Sequence, residues 1–234
     1  MAIAESADFL ALKFSLTQGG GQKVESCDDF ATRAKYFLPM HASHAEINIF
    51  TKHIIDSQNY LEFGCGGSTF LCAYLSNAKI LSVDSDKNFI AFISQNEVLS
   101  RILRERKSRL TFFHIDIGEI KGWGHPKDDS KKSHYPQYSQ KIFEILSHDE
   151  IDSIDTYFVD GRFRVACVMS ILLHCNKNAK IIIHDFWDRE YYHAVLEFLE
   201  VVERVDTLAI FRIKPNIDKK RIKALLGEYK FVLE

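Results

Sequence analysis

From residue 59 onward the sequence alternates short apolar runs with segments of helical period, and this alternation is the feature that most restricts the fold. Five runs are rich in β-branched and aromatic residues, which favours strands at 60–63, 79–83, 110–115, 154–160 and 179–185. Helices are predicted between them at 68–76, 87–104, 139–146 and 165–175. Because the strands are almost wholly apolar, they suit a parallel sheet covered by helices on both faces.

The two ends of the chain depart from this alternation. After a predicted helix at 189–199, two β-like runs flank the turn-prone pair Asp206 and Thr207, which indicates an antiparallel hairpin at the sheet edge. Segments 30–37 and 45–55 look helical, and QGGGQ at 18–22 is a flexible break. We therefore predict an α/β fold, a Rossmann-like doubly wound, mostly parallel seven-stranded sheet with an antiparallel edge hairpin and extra N-terminal helices.

The predicted organisation has three parts. Residues 1–58 form an N-terminal helical extension or cap, 59–214 the Rossmann-like domain, and 215–234 a C-terminal helix and tail. A length of 234 residues suits this arrangement of one main domain with added elements.

Charge and composition limit the partners and the compartment. The formal net charge is −2, so no overall field favours nucleic acid or an anionic membrane, and we expect a small-molecule partner instead. The five cysteines include no CxxC pair and read as reduced thiols. The start of the chain lacks the basic, then apolar, pattern of a signal peptide, so a cytoplasmic protein is expected. The hairpin edge could pair across a homodimer.

A glycine-rich turn follows the first predicted strand in the stretch EFGCGGST, residues 62–69. A strand that runs through Gly64 and Gly66 into a helix brings backbone N–H groups and a helix N-terminus toward a ligand. A tight turn that needs positive φ would also use glycine. The third glycine of a dinucleotide fingerprint is replaced by Thr69, and Glu62 would repel a pyrophosphate but suits a cationic ligand.

These residues resemble the first motif of the class I S-adenosylmethionine-dependent methyltransferases. Asp84 ends the second strand 22 residues after Glu62, and Asp116 follows the third. The motifs EFGCGGST and VDGRFRVAC also resemble a bacterial methyltransferase-like group. The resemblance implies S-adenosylmethionine as cofactor, with Asp84 at the ribose and Asp116 near the adenine. The cofactor-binding residues it implies are Glu62, Gly64, Gly66, Ser68, Thr69, Asp84 and Asp116.

The catalytic candidates lie at the ends of the fourth and fifth strands, where ligands of open α/β sheets bind. They are Asp160, His184 and Asp185. Asp160 could instead cap the following helix. His184 is a candidate general base because its ordinary pKa lies near neutrality. Asp160 and Asp185 could also bind Mg²⁺, as in some O-methyltransferases, although Phe186 departs from their third ligand.

The acceptor would contact a different set of residues. Arg162 and Arg164 could clamp a carboxylate or phosphate, and a surface salt bridge is the simpler alternative for each. The loop 116–138 is unusually long and suits a lid or binding loop. The predicted substrate-binding residues are Arg162, Trp123, His125 and Arg189.

We expect a methyltransferase that acts on an oxygen of a small-molecule or sugar-like acceptor. Three alternatives stay open from the residues: an RNA methyltransferase, if the basic runs at 101–109 and 219–230 share one face; a non-catalytic cofactor-binding module; and an NAD-dependent oxidoreductase, against which Glu62 and Thr69 argue.

Overall fold

The computed structural model describes residues 32–233 and contains nine strands and eight α-helices in the span 44–233. The predicted break at 18–22, Cys27 and most of the predicted N-terminal extension lie outside the described residues. The strands are β1 Asn59–Phe63, β2 Lys79–Asp84, β3 Leu110–His114, β4 Ile120–Lys121, β5 His125–Pro126, β6 Thr156–Val159, β7 Lys180–Ile183, β8 Leu199–Val205 and β9 Leu208–Ile213. The helices are α1 His44–Ile54, α2 Gly67–Leu75, α3 Lys87–Ile93, α4 Glu97–Glu105, α5 Tyr135–Ile145, α6 His148–Ser153, α7 Arg164–His174 and α8 Lys219–Tyr229.

Seven of these strands form one sheet in the order β3-β2-β1-β6-β7-β9-β8. The first five strands in this order are parallel, whereas β9 pairs antiparallel with both β7 and β8. The strand order reverses between β1 and β6, which places the carboxyl ends of these two strands at a switch point where open α/β sheets bind ligands. The predicted fold class is confirmed, including the antiparallel edge hairpin.

Two cores cover the two faces of the sheet because successive strand residues point to opposite sides. In β6, Tyr157 and Val159 join one core with residues of α5, α7 and α8. Phe158 points the other way and joins a second core with residues of α1, α2 and α4. The sheet is therefore buried on both faces, which explains why its strands read as continuous apolar runs.

Several predicted element boundaries differ from the structure. The predicted helix 87–104 is two helices, because the Asn96 side chain caps α4 by accepting from Val98 N–H and donates to the carbonyl of Ala34. The segment 189–199 forms 3-10 turns at Glu190–Glu197 rather than an α-helix. Helix α6 was missed; its capping box between Ser147 and Glu150 is visible in the sequence.

The long predicted loop after β3 is shorter and more ordered than expected. It contains the small β4–β5 hairpin, and α5 begins at Tyr135. The four cysteines in the described part of the chain are free thiols. Among residues 32–233, every helix falls short of the length and apolarity that a membrane crossing requires.

The flanking helices pack directly on this sheet. Phe50 and Ile54 of α1 are fully buried in the second core, and Ile222 and Leu225 of α8 are buried in the first. The boundaries proposed at residues 58 and 214 stay predictions.

Two glycine-to-alanine substitutions should move stability in opposite directions. Gly64 has a φ of +97°, and a Cβ there would lie 2.7 Å from the backbone nitrogen of Gly161, so Gly64→Ala should lower the free energy of unfolding by about 2 kcal/mol or more. Gly227 lies within α8 with open space around it, so Gly227→Ala should raise that energy by about 0.5–1 kcal/mol. Urea unfolding measures both, and equal effects would contradict the strain assigned to Gly64.

Candidate active site

The turn between β1 and α2 uses its three glycines in different ways. Gly64 has positive φ and closely approaches Gly161, which follows β6. Gly67 packs against the backbone of Pro39 and Met40, leaving no room for a Cβ. Gly66 has a φ of +152°, and the nearest atoms to a Cβ there belong to the Phe89 ring at 3.8 Å. Gly64 and Gly67 are therefore required by close backbone packing. Gly66 borders a cavity and has no side chain to fill it.

The Glu62 carboxylate lies beneath this turn and is fully buried. It accepts hydrogen bonds from the hydroxyls of Tyr60 at 3.0 Å, Ser68 at 2.8 Å, Ser82 at 2.7 Å and Thr69. Thr69 in turn accepts from the Gly66 N–H at 2.9 Å. Burial raises the pKa of Glu62, the four hydrogen bonds lower it, and burial prevails, so that the pKa is about 7. Glu62 and Thr69 do not line the cavity, so their expected contact with a ligand stays a prediction, and in the structure they fix the glycine turn.

A cavity of about 900 Å³ extends from the glycine turn to the ends of β6 and β7. At the end where the sequence predicts the cofactor, the cavity is lined by Gly64, Cys65, Gly66, Ser68, Asp84, Asp86 and Phe89. Its other end is lined by His41, Lys121, Trp123, His125, Asp160, Arg162, Arg164, His184, Asp185 and Arg189. This volume is in the range of sites for small molecules and cofactors. The structure thus brings most of the residues singled out from the sequence around one space.

Asp84 stands at the end of β2 and borders the cavity. Its two oxygens accept from the N–H groups of Cys65 at 2.9 Å and Asp86 at 2.8 Å, so it also braces the glycine turn. Burial raises its pKa from the ordinary value, and these hydrogen bonds oppose the shift. Asp116, in contrast, is exposed, pairs with Lys131 and lies outside the cavity lining.

At the other end a buried guanidinium organises the catalytic candidates. Arg164 begins α7, and its Nη2 lies 3.2 Å from Asp160 Oδ1 and 3.3 Å from Asp185 Oδ2. It also donates to the carbonyls of Gly161, Asp160 and His184. Asp185 has a φ of +52° and receives a second ion pair from Arg189 at 2.8 Å. Arg164 is thus a structural counter-ion, and its predicted role as an acceptor clamp does not suit its position.

His184 lies between three carboxylates. Its Nδ1 is 3.0 Å from Asp160 Oδ1 and 3.7 Å from Asp185, and its Nε2 is 3.6 Å from Glu46 Oε2. Burial lowers the pKa of His184, but the hydrogen bond and the negative charges outweigh it and raise the pKa to about 9. The ring is therefore protonated at neutral pH, donates from Nδ1 to Asp160, and forms an ion pair with Glu46 through Nε2. This corrects the expectation of a base with a pKa near neutrality, because that expectation ignored the surrounding acids.

Asp160 is a half-buried acid of this cluster. Burial raises its pKa, but His184, Arg164 and Arg162 outweigh this effect and hold the pKa below the ordinary value. Its side chain is 29% exposed and faces the cavity. Asp160 is therefore an ionised hydrogen-bond acceptor at neutral pH.

The cluster does not fit magnesium. Ligand atoms of Asp160, His184 and Asp185 lie within 4.8 Å of one another, which is the spacing of a metal site. However, Arg164 already contacts both carboxylates, and a protonated His184 has no lone pair to offer. Magnesium needs near-octahedral oxygen ligands, and the position after Asp185 is the fully buried, apolar Phe186. The protein's own cations take the place that a metal would need.

The predicted substrate residues border the cavity together. Arg162 is buried and places Nη1 2.8 Å from His125 Nε2, and Trp123 is 75% exposed at the cavity. Sequence reading missed His41, whose ring meets Trp123 edge-on at 5.3 Å, and Lys121. Neither had a motif that would have drawn attention to it.

Comparison with solved structures finds the same architecture in methyltransferases. A methyltransferase-like protein from Silicibacter pomeroyi superposes with a TM-score of 0.71 at 24% identity, over 83% of this chain and 98% of that one. A protein provisionally assigned as a caffeoyl-CoA O-methyltransferase from Staphylococcus aureus gives 0.52 at 15% identity, over 89% and 99%. The chain has the fold of these methyltransferases. No family model and no curated protein sequence matches it.

This methyltransferase fold accounts for the sequence pattern that led to it. The glycine turn after the first strand, the acid after the second and the antiparallel hairpin at the edge occur here at their expected places in the sheet. The structural comparison shows the fold that the resemblance implied, while the superfamily and the roles of single residues stay predictions.

Glu62 should make stability fall as pH rises. Its pKa is about 7 in the folded chain and 4.5 ordinarily, so between these values the folded state holds a proton that the unfolded state has lost. The free energy of unfolding should therefore drop by roughly 3 kcal/mol from pH 4.5 to above 7 on account of this group. Urea unfolding from pH 4.5 to 8 should show this drop in the wild type and not in Glu62→Gln. Parallel curves for the two proteins would contradict the raised pKa.

Magnesium should not bind at the Asp160 cluster. We expect no saturable heat when the protein is titrated with magnesium chloride, because Arg164, Arg189 and the protonated His184 already compensate the charges of both carboxylates. Arg164→Gln is the informative variant: if it folds, removing the guanidinium should make the acid pair accessible to the ion. Saturable binding to the wild type that Asp185→Asn abolishes would contradict the assignment.

Proposed function

We propose that this chain is an S-adenosylmethionine-dependent methyltransferase that transfers a methyl group to an oxygen of a small-molecule or sugar-like acceptor. The observation that carries the proposal is one cavity that joins the glycine turn and Asp84 to the Asp160 cluster. A cofactor at one end and an acceptor at the other would meet within it.

The residues at the glycine turn fit the proposed cofactor. Gly66 borders the cavity with no side chain to obstruct a ligand, Ser68 lies at the start of α2, and Asp84 borders the same space. Asp84 would accept hydrogen bonds from the ribose hydroxyls, and the Phe89 ring offers an apolar surface beside Gly66. When bound, the cofactor supplies a methyl carbon activated by a sulfonium. The protein's task is then to orient the acceptor and exclude water.

Asp160 is the group best placed to orient an acceptor hydroxyl. Its carboxylate is ionised, faces the cavity and is held by His184 at 3.0 Å and Arg164 at 3.2 Å. A hydroxyl that donates to Asp160 would have its oxygen directed for attack, and the carboxylate would receive the proton as the C–O bond forms and the C–S bond to the sulfonium breaks, with S-adenosylhomocysteine as the leaving group. His184 would position Asp160 and compensate its charge rather than act as the base.

Titration calorimetry with S-adenosylmethionine, S-adenosylhomocysteine and NAD tests the proposed cofactor. We expect micromolar binding of the first two and none of NAD. Binding of NAD alone would instead indicate an oxidoreductase. Cofactor binding without release of S-adenosylhomocysteine across a broad acceptor panel would indicate a non-catalytic binding module, and turnover on RNA alone would replace the small acceptor.

Two aspartate variants distinguish the proposed ribose contact from a general effect of charge. Asp84→Asn should weaken binding of S-adenosylhomocysteine by about 1–3 kcal/mol, the usual cost of losing hydrogen bonds to a charged group. Asp116→Asn is the matched control, because its carboxylate pairs with Lys131 outside the cavity and should leave the affinity unchanged. A loss of affinity in Asp116→Asn alone would reverse the assignment and restore the adenine contact expected from the sequence.

A further inference from the structure

The β4–β5 hairpin, residues 120–126, forms a flap at the acceptor end of the cavity. Lys121, Trp123 and His125 of the flap all line this space. Trp123 has a φ of +63° and is 75% exposed, an unusual state for so large an apolar side chain. A ring held at the cavity with this exposure is available to pack against a ligand.

Arg162 contacts the flap through His125, and this contact does not neutralise the guanidinium. Its Nη1 lies 2.8 Å from His125 Nε2, and because a guanidinium only donates, the imidazole nitrogen must accept. Burial, together with the charges of Arg162 and Lys121, lowers the pKa of His125, so this ring is neutral at pH 7. His125 therefore orients the guanidinium and leaves its positive charge in place.

Lys121 adds a second positive charge at the same end. It is exposed, lines the cavity and makes no ion pair with any other residue in the range 32–233. In contrast, the acids Asp160 and Asp185 already contact Arg164, and Asp185 also contacts Arg189. The acids of this end thus have cationic partners, whereas Lys121 has none among the described residues.

We propose that the methyl acceptor is an anion, whose carboxylate or phosphate is bound by Lys121 and Arg162 while its hydroxyl-bearing body packs on Trp123 and His41. A guanidinium matches the two oxygens of either group, and an indole face suits an aromatic or sugar ring. This inference rests on the proposed function, since it assigns the acceptor of the same cavity.

Two matched pairs of compounds test the charge preference directly. The protein saturated with S-adenosylhomocysteine is titrated with 4-hydroxybenzoate and 4-hydroxybenzamide, and with glucose 6-phosphate and glucose. At least one anion should bind tenfold or more tightly than its neutral partner. The pair that shows the preference distinguishes a carboxylate from a phosphate acceptor.

Variants locate the preference within the cavity. Lys121→Gln and Arg162→Gln should each reduce the ratio of anion affinity to neutral-partner affinity by at least threefold. Trp123→Ala should weaken the binding of both compounds of a pair equally. Lys127→Gln is the matched control, since Lys127 pairs with Glu119 at 3.1 Å and lies outside the cavity lining, and it should leave the preference unchanged.

The inference is overturned if neither anion binds better than its neutral partner, if Lys121→Gln leaves the preference intact, or if Lys127→Gln reduces it equally. The calorimetric titration with S-adenosylmethionine and S-adenosylhomocysteine distinguishes a failure of this inference from a failure of the proposed function. Binding of S-adenosylhomocysteine without an anion preference rejects the anionic acceptor alone, whereas absent binding of S-adenosylhomocysteine and S-adenosylmethionine rejects both.

Discussion

The buried carboxylate of Glu62 is the constraint on which the ligand end of the fold depends. Its hydrogen bonds come from its own strand, from β2 and from the first turn of α2, through Tyr60, Ser82, Ser68 and Thr69. A buried charge is costly unless its hydrogen bonds are satisfied. Any movement of α2 away from the sheet would remove two of the four partners of this carboxylate, Ser68 and Thr69, so the glycine turn is held in one position. The backbone that faces the cavity is pre-organised by a group that does not reach it.

A similar principle operates at the opposite end of the cavity with the charges reversed. There the buried group is the Arg164 guanidinium, which connects the ends of β6 and β7 through Asp160, Asp185 and nearby carbonyls. Desolvated ion pairs of this kind are a modest source of stability, but they fix geometry. A side chain of α7 holds the two carboxylates together, so the position of Asp160 depends on the packing of α7.

The fold could be predicted from the sequence because it follows from local patterns. Apolar runs such as 181–183 need burial on both faces, and the spacing from Glu62 to Asp84 is set by one strand-helix-strand unit. The site was predicted less completely, because charge states depend on neighbours that are distant in sequence. Of the three acids around His184, Asp185 is its neighbour in sequence, but Glu46 lies in α1 and Asp160 follows β6, so no local reading could give its pKa. Lys121 and His41 were missed for the same reason: only the folded chain places them at the cavity.

The Glu46 side chain links the edge hairpin to His184. One oxygen accepts from the N–H of Thr207 at 2.8 Å and its hydroxyl at 2.6 Å, and the other accepts from Ser43 N–H at 2.7 Å and lies 3.6 Å from His184. The turn between β8 and β9 is thus connected through one acid to the imidazolium beside Asp160. Sequence variation at this outer turn would alter how much of the negative charge on Glu46 is available to His184. A change at the periphery of the sheet would therefore alter the acidity of His184 at the candidate site without altering any residue in the cavity.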